Sequence, residues 1–434
     1  MDQKEIGIGL AGFGTVGAGV YKNLARNGAL MEQRANVRFA VRKVAVRDLA
    51  KPRDVELPEG TLTGRALDLI DDPEIRIVVE LMGGIEGPLD FVKRALEAGK
   101  IVVTGNKALL AEHGREIFEL AAAKRVPVFY EAAVAGGIPI IKAVRESFVG
   151  NRFESIHGIL NGTSNYILTR MAEAGLDFAP ALAEAQQLGY AEADPALDVN
   201  GWDAAHKAII LASLAYGFWI EPSKVLVTGI ENVTAADMRF ADELGYRIKL
   251  LATIKDDAEG GIEVRVVPTL IPKSHVLASV SGVFNAIAVR GDIVGDTLFY
   301  GRGAGQDPTS SSVLADLAEA AAALLRGPRE CMGFTTHSLY GTCKPISAAV
   351  SKYYLRLAVE DRPGVLARIA GVLAAANIGI LSVIQPESAT DGPVPLILTI
   401  HDAEYGHMQS AADALGRLDG VKAAPVLFHM ESFS

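Results

Sequence analysis

The sequence predicts an α/β protein in three parts: a doubly wound parallel sheet over residues 1–140, a second α/β domain over 141–305, and a βαββαβ module over 353–434. Three observations predict it. Short β-branched runs alternate with amphipathic helical stretches through the first 140 residues, the pattern of a parallel sheet covered on both faces. The first run ends in a glycine-rich turn that opens a helix. Beyond residue 352 the order becomes strand, helix, strand, strand, helix, strand, which is ferredoxin-like.

At 434 residues the chain is too long for one ordinary core. Half of it is hydrophobic and 22% is charged, as in globular proteins. A net charge of −10 argues against nucleic acid and anionic membranes as partners. The two cysteines, Cys331 and Cys343, exclude a disulfide scaffold, and no Cys/His cluster has zinc spacing. The longest largely apolar run, residues 208–220, is shorter than the ~20 residues of a membrane span. The first residues lack a basic region and a small-residue cleavage site, so a cytoplasmic location is expected.

The elements follow in order. "EIGIGLAG" is an apolar strand closed by glycine, and a helical pattern runs from Val16 to Asn27. "VRFAVRKVAVRD" supplies one or two strands and "IRIVVELMGG" another. "GPLDFVKRALEAGK" is an amphipathic helix with Gly99 at its C-cap. "KIVVTGNK" is a strand, "LLAEHGREIFELAAAKR" a helix and "VPVFYEAAV" a strand. The second domain draws on "RFESIHGIL", "GGIEVRVVPTLI" and "FNAIAVRGDIVGDTLFYG". A helix beginning near Pro308 and reaching about residue 326 is expected to pack back on the first domain. "GTCKPISAAVSK" reads as a linker, after which the tail stands as a separate module.

The turn after the first strand is Gly12-Phe13-Gly14-Thr15-Val16-Gly17, which fits G-x-G-x-x-G. The first glycine permits a tight turn, the second lets backbone approach a pyrophosphate, and the third lets helix pack close to strand. Phosphate then sits at the positive helix terminus, so a Rossmann-type dinucleotide site is expected. The second strand ends "VAVRD", then "LAKPR". Arg47, Lys51 and Arg53 favour the 2′-phosphate of NADP, while Asp48 leaves NAD open.

Lys107 follows a strand at the carboxyl edge of the sheet, where open α/β sheets bind ligands. In "YEAAVAGGIPII", Glu131 and bent backbone offer oxygen ligands for a hard cation, or else a plain crossover between domains. "AEADPALDVNGWDAAHKAIILASLAYGFWI" sets Glu192, Asp198, Asp203 and Lys207 at the mouth of an apolar helix. Asp203 and Lys207 share a helix face if the helix has begun by Trp202. The rest of that helix offers little to water, so the pair is expected in a cleft. There the lysine would protonate a carbonyl oxygen and the acids would hold an ammonium. His206 points elsewhere and reads as structural.

"AQQLGYAEADPALDVNGWDAAHK" resembles the signature of homoserine dehydrogenases. "GFGTVG", "TGNKALLA", "EAAVAGGIP" and "LNGTSNYIL" resemble the same family in the same order, over about residues 5–345. The resemblance implies hydride transfer between a nicotinamide cofactor and L-aspartate 4-semialdehyde, giving L-homoserine for threonine, methionine and isoleucine biosynthesis. It implies Lys207 as proton donor, Glu192 and Asp203 as homoserine-binding acids with Asp198 in support, and Lys107 beside the nicotinamide. It implies a sodium or similar monovalent cation on Glu131 and the carbonyls of Val134, Gly136 and Ile138. Phe13, Thr15, Val16, Gly189 and Gly303 fall where the family contacts cofactor. A homodimer or homotetramer is expected.

"DRPGVLARIAGVLAAANIGI" resembles the start of an ACT domain, a regulatory module that often binds amino acids. Gly364 and Asn377 lie where such domains take a ligand, and threonine is the expected effector. A chain ending at Lys352 is expected to keep catalysis and lose inhibition. Two other readings stand beside this one. An aspartate-semialdehyde dehydrogenase would need a nucleophilic cysteine in a catalytic domain, but Cys331 and Cys343 lie near the linker. A non-catalytic sensor would leave Lys107, Asp203 and Lys207 unexplained.

Overall fold

The β-branched runs of the first 130 residues become parallel strands. In a computed structural model of the chain, which describes residues 4–256, 261–327, 333–386 and 392–433, six strands form one sheet. They are β1 (Lys4–Ala11), β2 (Val37–Ala45), β3 (Leu62–Thr63), β4 (Ile75–Glu80), β5 (Ile101–Thr104) and β6 (Val128–Phe129). Their order is β3-β2-β1-β4-β5-β6, and every pairing is parallel. "VRFAVRKVA" is therefore a single strand. The connecting helices are α1 (Thr15–Ala35), α2 (Asp68–Asp71), α3 (Glu86–Glu97) and α4 (Lys107–Lys124). Gly99 follows α3 with φ +74°, the left-handed position that ends helices. The side chain of Asn106 caps α4 by accepting from the Leu109 N–H. Strand order reverses between β1 and β4, and a crevice opens at their carboxyl ends.

The chain divides into two compact units, each assembled from separated segments. The first comprises Met1–Gly162, Asp203–Pro222 and Val283–Gly341. Besides the parallel sheet it holds the short α5 (Ile140–Lys142), β7 (Phe153–Ile159), α9 (Trp202–Tyr216, from Asp203 on), β11 (Phe284–Gly291), β12 (Gly295–Arg302) and α11 (Gln306–Arg326). β11 is antiparallel to both β7 and β12. α11 starts at Gln306, two residues before the expected Pro308. It docks on α1 through Asn23, whose amide donates to Asp307 and Ser310.

The second unit comprises Thr163–Trp202, Ser223–Gly282 and Thr342–Ser434. It holds α6 (Gly162–Ala174, from Thr163 on), α7 (Phe178–Gln187), α8 (Ala196–Val199), β8 (Leu226–Val227), α10 (Ala235–Glu243), β9 (Tyr246–Asp256) and β10 (Gly261–Pro272). Then come β13 (Thr342–Cys343), β14 (Val350–Val359), α12 (Val365–Ala375), β15 (Ile380–Ile384), β16 (Val394–Glu404), α13 (Tyr405–Gly416) and β17 (Val426–Met430). The tail strands order as β17-β14-β16-β15, all antiparallel neighbours, around a core that includes Tyr353, Leu355, Ile369, Leu398 and Met408. That is the predicted βαββαβ fold.

The tail is bonded to the rest of the second unit. β17 pairs with β10 in parallel, Thr269 beside His429 and Leu270 beside Met430. Arg265, 1% exposed, donates to Glu431 at 2.9 Å. Asp237, fully buried, caps α10 through Thr234 and also accepts from Tyr354 at 2.8 Å and Arg356 at 2.7 Å. The stretch expected as a linker contains β13, paired to Gly261 and Ile262 of β10. Local periodicity cannot reveal such pairing because its partners lie far away in sequence. Cys331 lies outside the described residues. Among those residues no helix is long and apolar enough to cross a membrane.

Candidate functional site

The glycine-rich turn divides its labour as its spacing suggests. Gly12 has φ +99°, and a Cβ there would meet the Leu81 carbonyl at 2.4 Å. At Gly17 a Cβ would meet the Gly12 carbonyl at 2.3 Å. At Gly14 it would meet nothing within 4 Å, and no side chain caps the helix that Gly14 precedes. Two glycines are therefore fixed by packing, and the third leaves bare N–H groups facing open space. A cleft of about 830 Å³ opens there, lined by Phe13, Thr15, Arg47, Asp48, Lys51 and Gln306 among others. Thr15 and Val16 form the first turn of α1. Arg47 is exposed and has no hydrogen bond or ion pair among the described residues. Arg53 is committed to the carbonyls of Asp48, Leu49 and Lys51, so the expected third basic contact is a loop brace.

The second cluster forms at the start of α9. Helix geometry brings Asp203 and Lys207 together, with Nζ to Oδ2 at 2.6 Å. Lys107, first residue of α4, reaches Oδ1 of the same carboxylate at 3.2 Å. Asn161 donates to Oδ2 at 2.7 Å. Lys207 also donates to the Leu160 carbonyl at 2.7 Å, which leaves one N–H of its ammonium uncommitted. Burial opposes ionisation of Asp203, but the charges of Lys207 and Lys107 overcome it and hold the carboxyl well below its ordinary range. The site is thus one carboxylate between two ammonium groups, next to a backbone carbonyl. His206 is buried, and burial lowers its pKa, in keeping with a structural role.

The other named residues fall as follows. Glu192 is exposed and Asp198 half-buried; both belong to the second unit, as does Gly189, whose φ is +73°. Lys107, Asp203 and Lys207 are all in the first. Glu131 is 4% exposed, and its carboxylate accepts the N–H groups of Ile141 and Lys142 at 2.9 Å each. Burial pushes its carboxyl up to about 7. Val134 and Ile138 are buried, the Gly136 carbonyl accepts from Ser312 at 2.5 Å, and a Cβ on Gly136 would meet the Gly303 carbonyl at 2.3 Å. Gly364 has φ +93° with open space around it, and Asn377 has φ +56°. Sequence reasoning missed Asn161, Asn285 and the Leu160 carbonyl. It also missed Glu80, fully buried and bonded to the Met82 N–H and the Thr104 hydroxyl. Polar residues inside apolar strands were the available signal for Glu80 and Asn285.

A dinucleotide cleft at a topological switch, with a lysine–carboxylate–lysine cluster in the same unit, defines an NAD(P)-dependent oxidoreductase that carries an added βαββαβ module. Comparison with known proteins specifies which. Residues 139–318 match the family model described as homoserine dehydrogenase, 12–131 its NAD-binding domain, and 353–420 the ACT domain. The homoserine dehydrogenase of Pseudomonas aeruginosa is 45% identical, covering 99% of this chain and 100% of its own, and that of Neisseria gonorrhoeae is 42% identical, covering 99% of each. Among solved structures, a homoserine dehydrogenase from Thiobacillus denitrificans superimposes with a TM-score of 0.92 at 44% identity, covering 99% of both chains. A hyperthermophilic archaeal homoserine dehydrogenase in complex with NADPH gives 0.63 at 27% identity, covering 75% of this chain and 100% of its own. The chain belongs to the homoserine dehydrogenase family.

Proposed function

We propose that Lys207 protonates the carbonyl oxygen of L-aspartate 4-semialdehyde as hydride arrives, yielding L-homoserine. The observation that carries this is the Lys207 ammonium, buried between Asp203 and the Leu160 carbonyl with one N–H uncommitted. The nicotinamide, when bound, supplies the hydride. Lys207 meets the negative charge that develops on oxygen, Asp203 pairs with both lysines, and Lys107 adds a second cation. Glu192 and Asp203 would hold the substrate's α-ammonium, with Asp198 in support. Gly12, Phe13, Gly14, Thr15, Val16, Gly17, Gly189 and Gly303 would contact cofactor.

Arg47 makes the preferred cofactor NADP, with NAD usable. Its support is an unpaired guanidinium directly after β2 on the wall of the cleft. A sodium ion, or a similar monovalent cation, on Glu131 and the carbonyls of Val134, Gly136 and Ile138 would keep that buried carboxyl ionised. The ACT module would bind an amino-acid effector, threonine first, near Gly364 and Asn377. A homodimer or homotetramer is favoured by exposed Ile293, Leu298 and Tyr300 on the β11–β12 hairpin. The setting is cytoplasmic amino-acid biosynthesis. The test is homoserine-dependent reduction of NADP and of NAD, with wild type and Arg47→Ala. The variant should lose affinity for NADP by at least roughly tenfold more than for NAD, since guanidinium–phosphate pairs are charge-assisted. Equal losses would remove Arg47 from 2′-phosphate recognition, and no homoserine oxidation would refute the function.

A further inference from the structure

Asn285 has no part in the chemistry described so far. It lies on β11, is 1% exposed, and donates through Nδ2 to the Leu160 carbonyl at 2.9 Å. That is the oxygen on which Lys207 rests at 2.7 Å. The β7–β11 ladder ends with Ile159 opposite Ala286. One step further, the side-chain amide of Asn285 takes the place of a backbone N–H.

The orientation of the amide is fixed by its surroundings. Turned over, Oδ1 would face the Leu160 oxygen, acceptor against acceptor. As it stands, Oδ1 is buried without a hydrogen-bond partner. An aliphatic side chain of similar volume would leave no such orphan, so the one bond to Leu160 is what distinguishes an amide here. The space is also committed. A Cβ on Gly303 would fall 2.1 Å from both Cγ and Nδ2 of Asn285. The amide is wedged between Gly303 and the carbonyl that holds Lys207.

We propose that Asn285 is a positioning residue: by fixing the Leu160 carbonyl it aims the Lys207 ammonium, and so the N–H left for substrate. The proposal rests on Lys207 as proton donor. The charged groups facing Lys207 are Asp203 on its own helix and Lys107 at the start of α4. His206 adjoins it in sequence and is buried. Asn161 steadies the Asp203 side of the same ammonium.

Two variants of the full chain test this, assayed for semialdehyde reduction with NADPH. Asn285→Leu keeps the volume and removes the donor. Its kcat should fall roughly ten- to hundredfold, with KM for NADPH within about twofold of wild type and Tm not lowered, because misaiming costs turnover more than binding. Asn285→Asp keeps the shape but sets a carboxylate oxygen against the Leu160 carbonyl, acceptor facing acceptor. Its kcat should also fall, again with KM for NADPH within about twofold of wild type. A lowered Tm with kcat unchanged would reduce Asn285 to packing and overturn the proposal. A raised KM for NADPH with unchanged kcat would also overturn it, by placing the effect on Gly303 and the cofactor. Should the leucine variant not fold, the kcat-against-KM split of the aspartate variant decides alone. Lys207→Ala run in parallel keeps the two claims apart: full turnover there would refute the proton-donor reading itself.

Discussion

Replacing Asp203 by asparagine should cost the enzyme both stability and turnover. The substitution keeps shape and removes the one negative charge from between two ammonium groups at 2.6 and 3.2 Å. Lys107 is 39% exposed, so water screens most of its share, whereas the Lys207 side chain is 10% exposed and bears nearly all of the loss. A buried charge left without its partner costs about 3–5 kcal/mol. At about 2–4 °C per kcal/mol, Tm should fall by roughly 6–20 °C. The assays are thermal unfolding and kcat at saturating semialdehyde and NADPH. In the fraction that stays folded, kcat should fall about 10²-fold or more, because the ammonium is no longer held toward substrate. A variant with wild-type Tm and wild-type kcat would show that Asp203 neither stabilises nor aims Lys207.

Three further outcomes follow from the same structure. Lys207→Ala should lower kcat by about 10²–10⁴-fold with cofactor affinity nearly intact; a variant that folds and keeps a third of wild-type kcat contradicts the role. A chain ending at Lys352 should fail to fold its second unit, because it strips Tyr354 and Arg356 from buried Asp237 and Glu431 from buried Arg265. Asp237, left buried without its cation, costs about 3–5 kcal/mol, and Arg265 keeps only Glu263; a truncated enzyme of wild-type Tm and activity would refute this. Lys249 is buried, and burial lowers its pKa to about 8, below the unfolded value of about 10.4. The folded state therefore binds fewer protons between those values, and stability rises with pH across that window, with the full penalty present below 8. The Tm advantage of Lys249→Met over wild type should shrink from pH 8 to pH 10, and a difference independent of pH would contradict it.

Much of this was legible in the sequence, for definable reasons. The parallel sheet announces itself because each strand is a short β-branched run and each helix carries its own period and stop. Asp203 and Lys207 could be paired on paper because four residues make about one helical turn. Lys107 could be placed at a sheet edge but not on Asp203, since that 3.2 Å contact joins residues 96 positions apart. Asn285 gave only the faint signal of one amide in an apolar strand. The tail showed its own fold clearly and its attachment not at all. Amphipathic periodicity describes the face a segment buries, never the partner it buries against.

That attachment has a consequence for synthesis. The parallel sheet is complete by Phe129 and draws on one continuous stretch, so it can take shape while the chain is still being made. β10 must wait about 160 residues for β17, and Arg265 must wait for Glu431. Through that interval a guanidinium destined for a dry interior has only Glu263 of its own strand as counter-ion, and an apolar strand has an open edge. Growth at about 5–20 residues per second makes the wait roughly ten to thirty seconds. The second unit is therefore the part of this enzyme most open to wrong strand pairing during synthesis, and the arrival of β17 closes that edge.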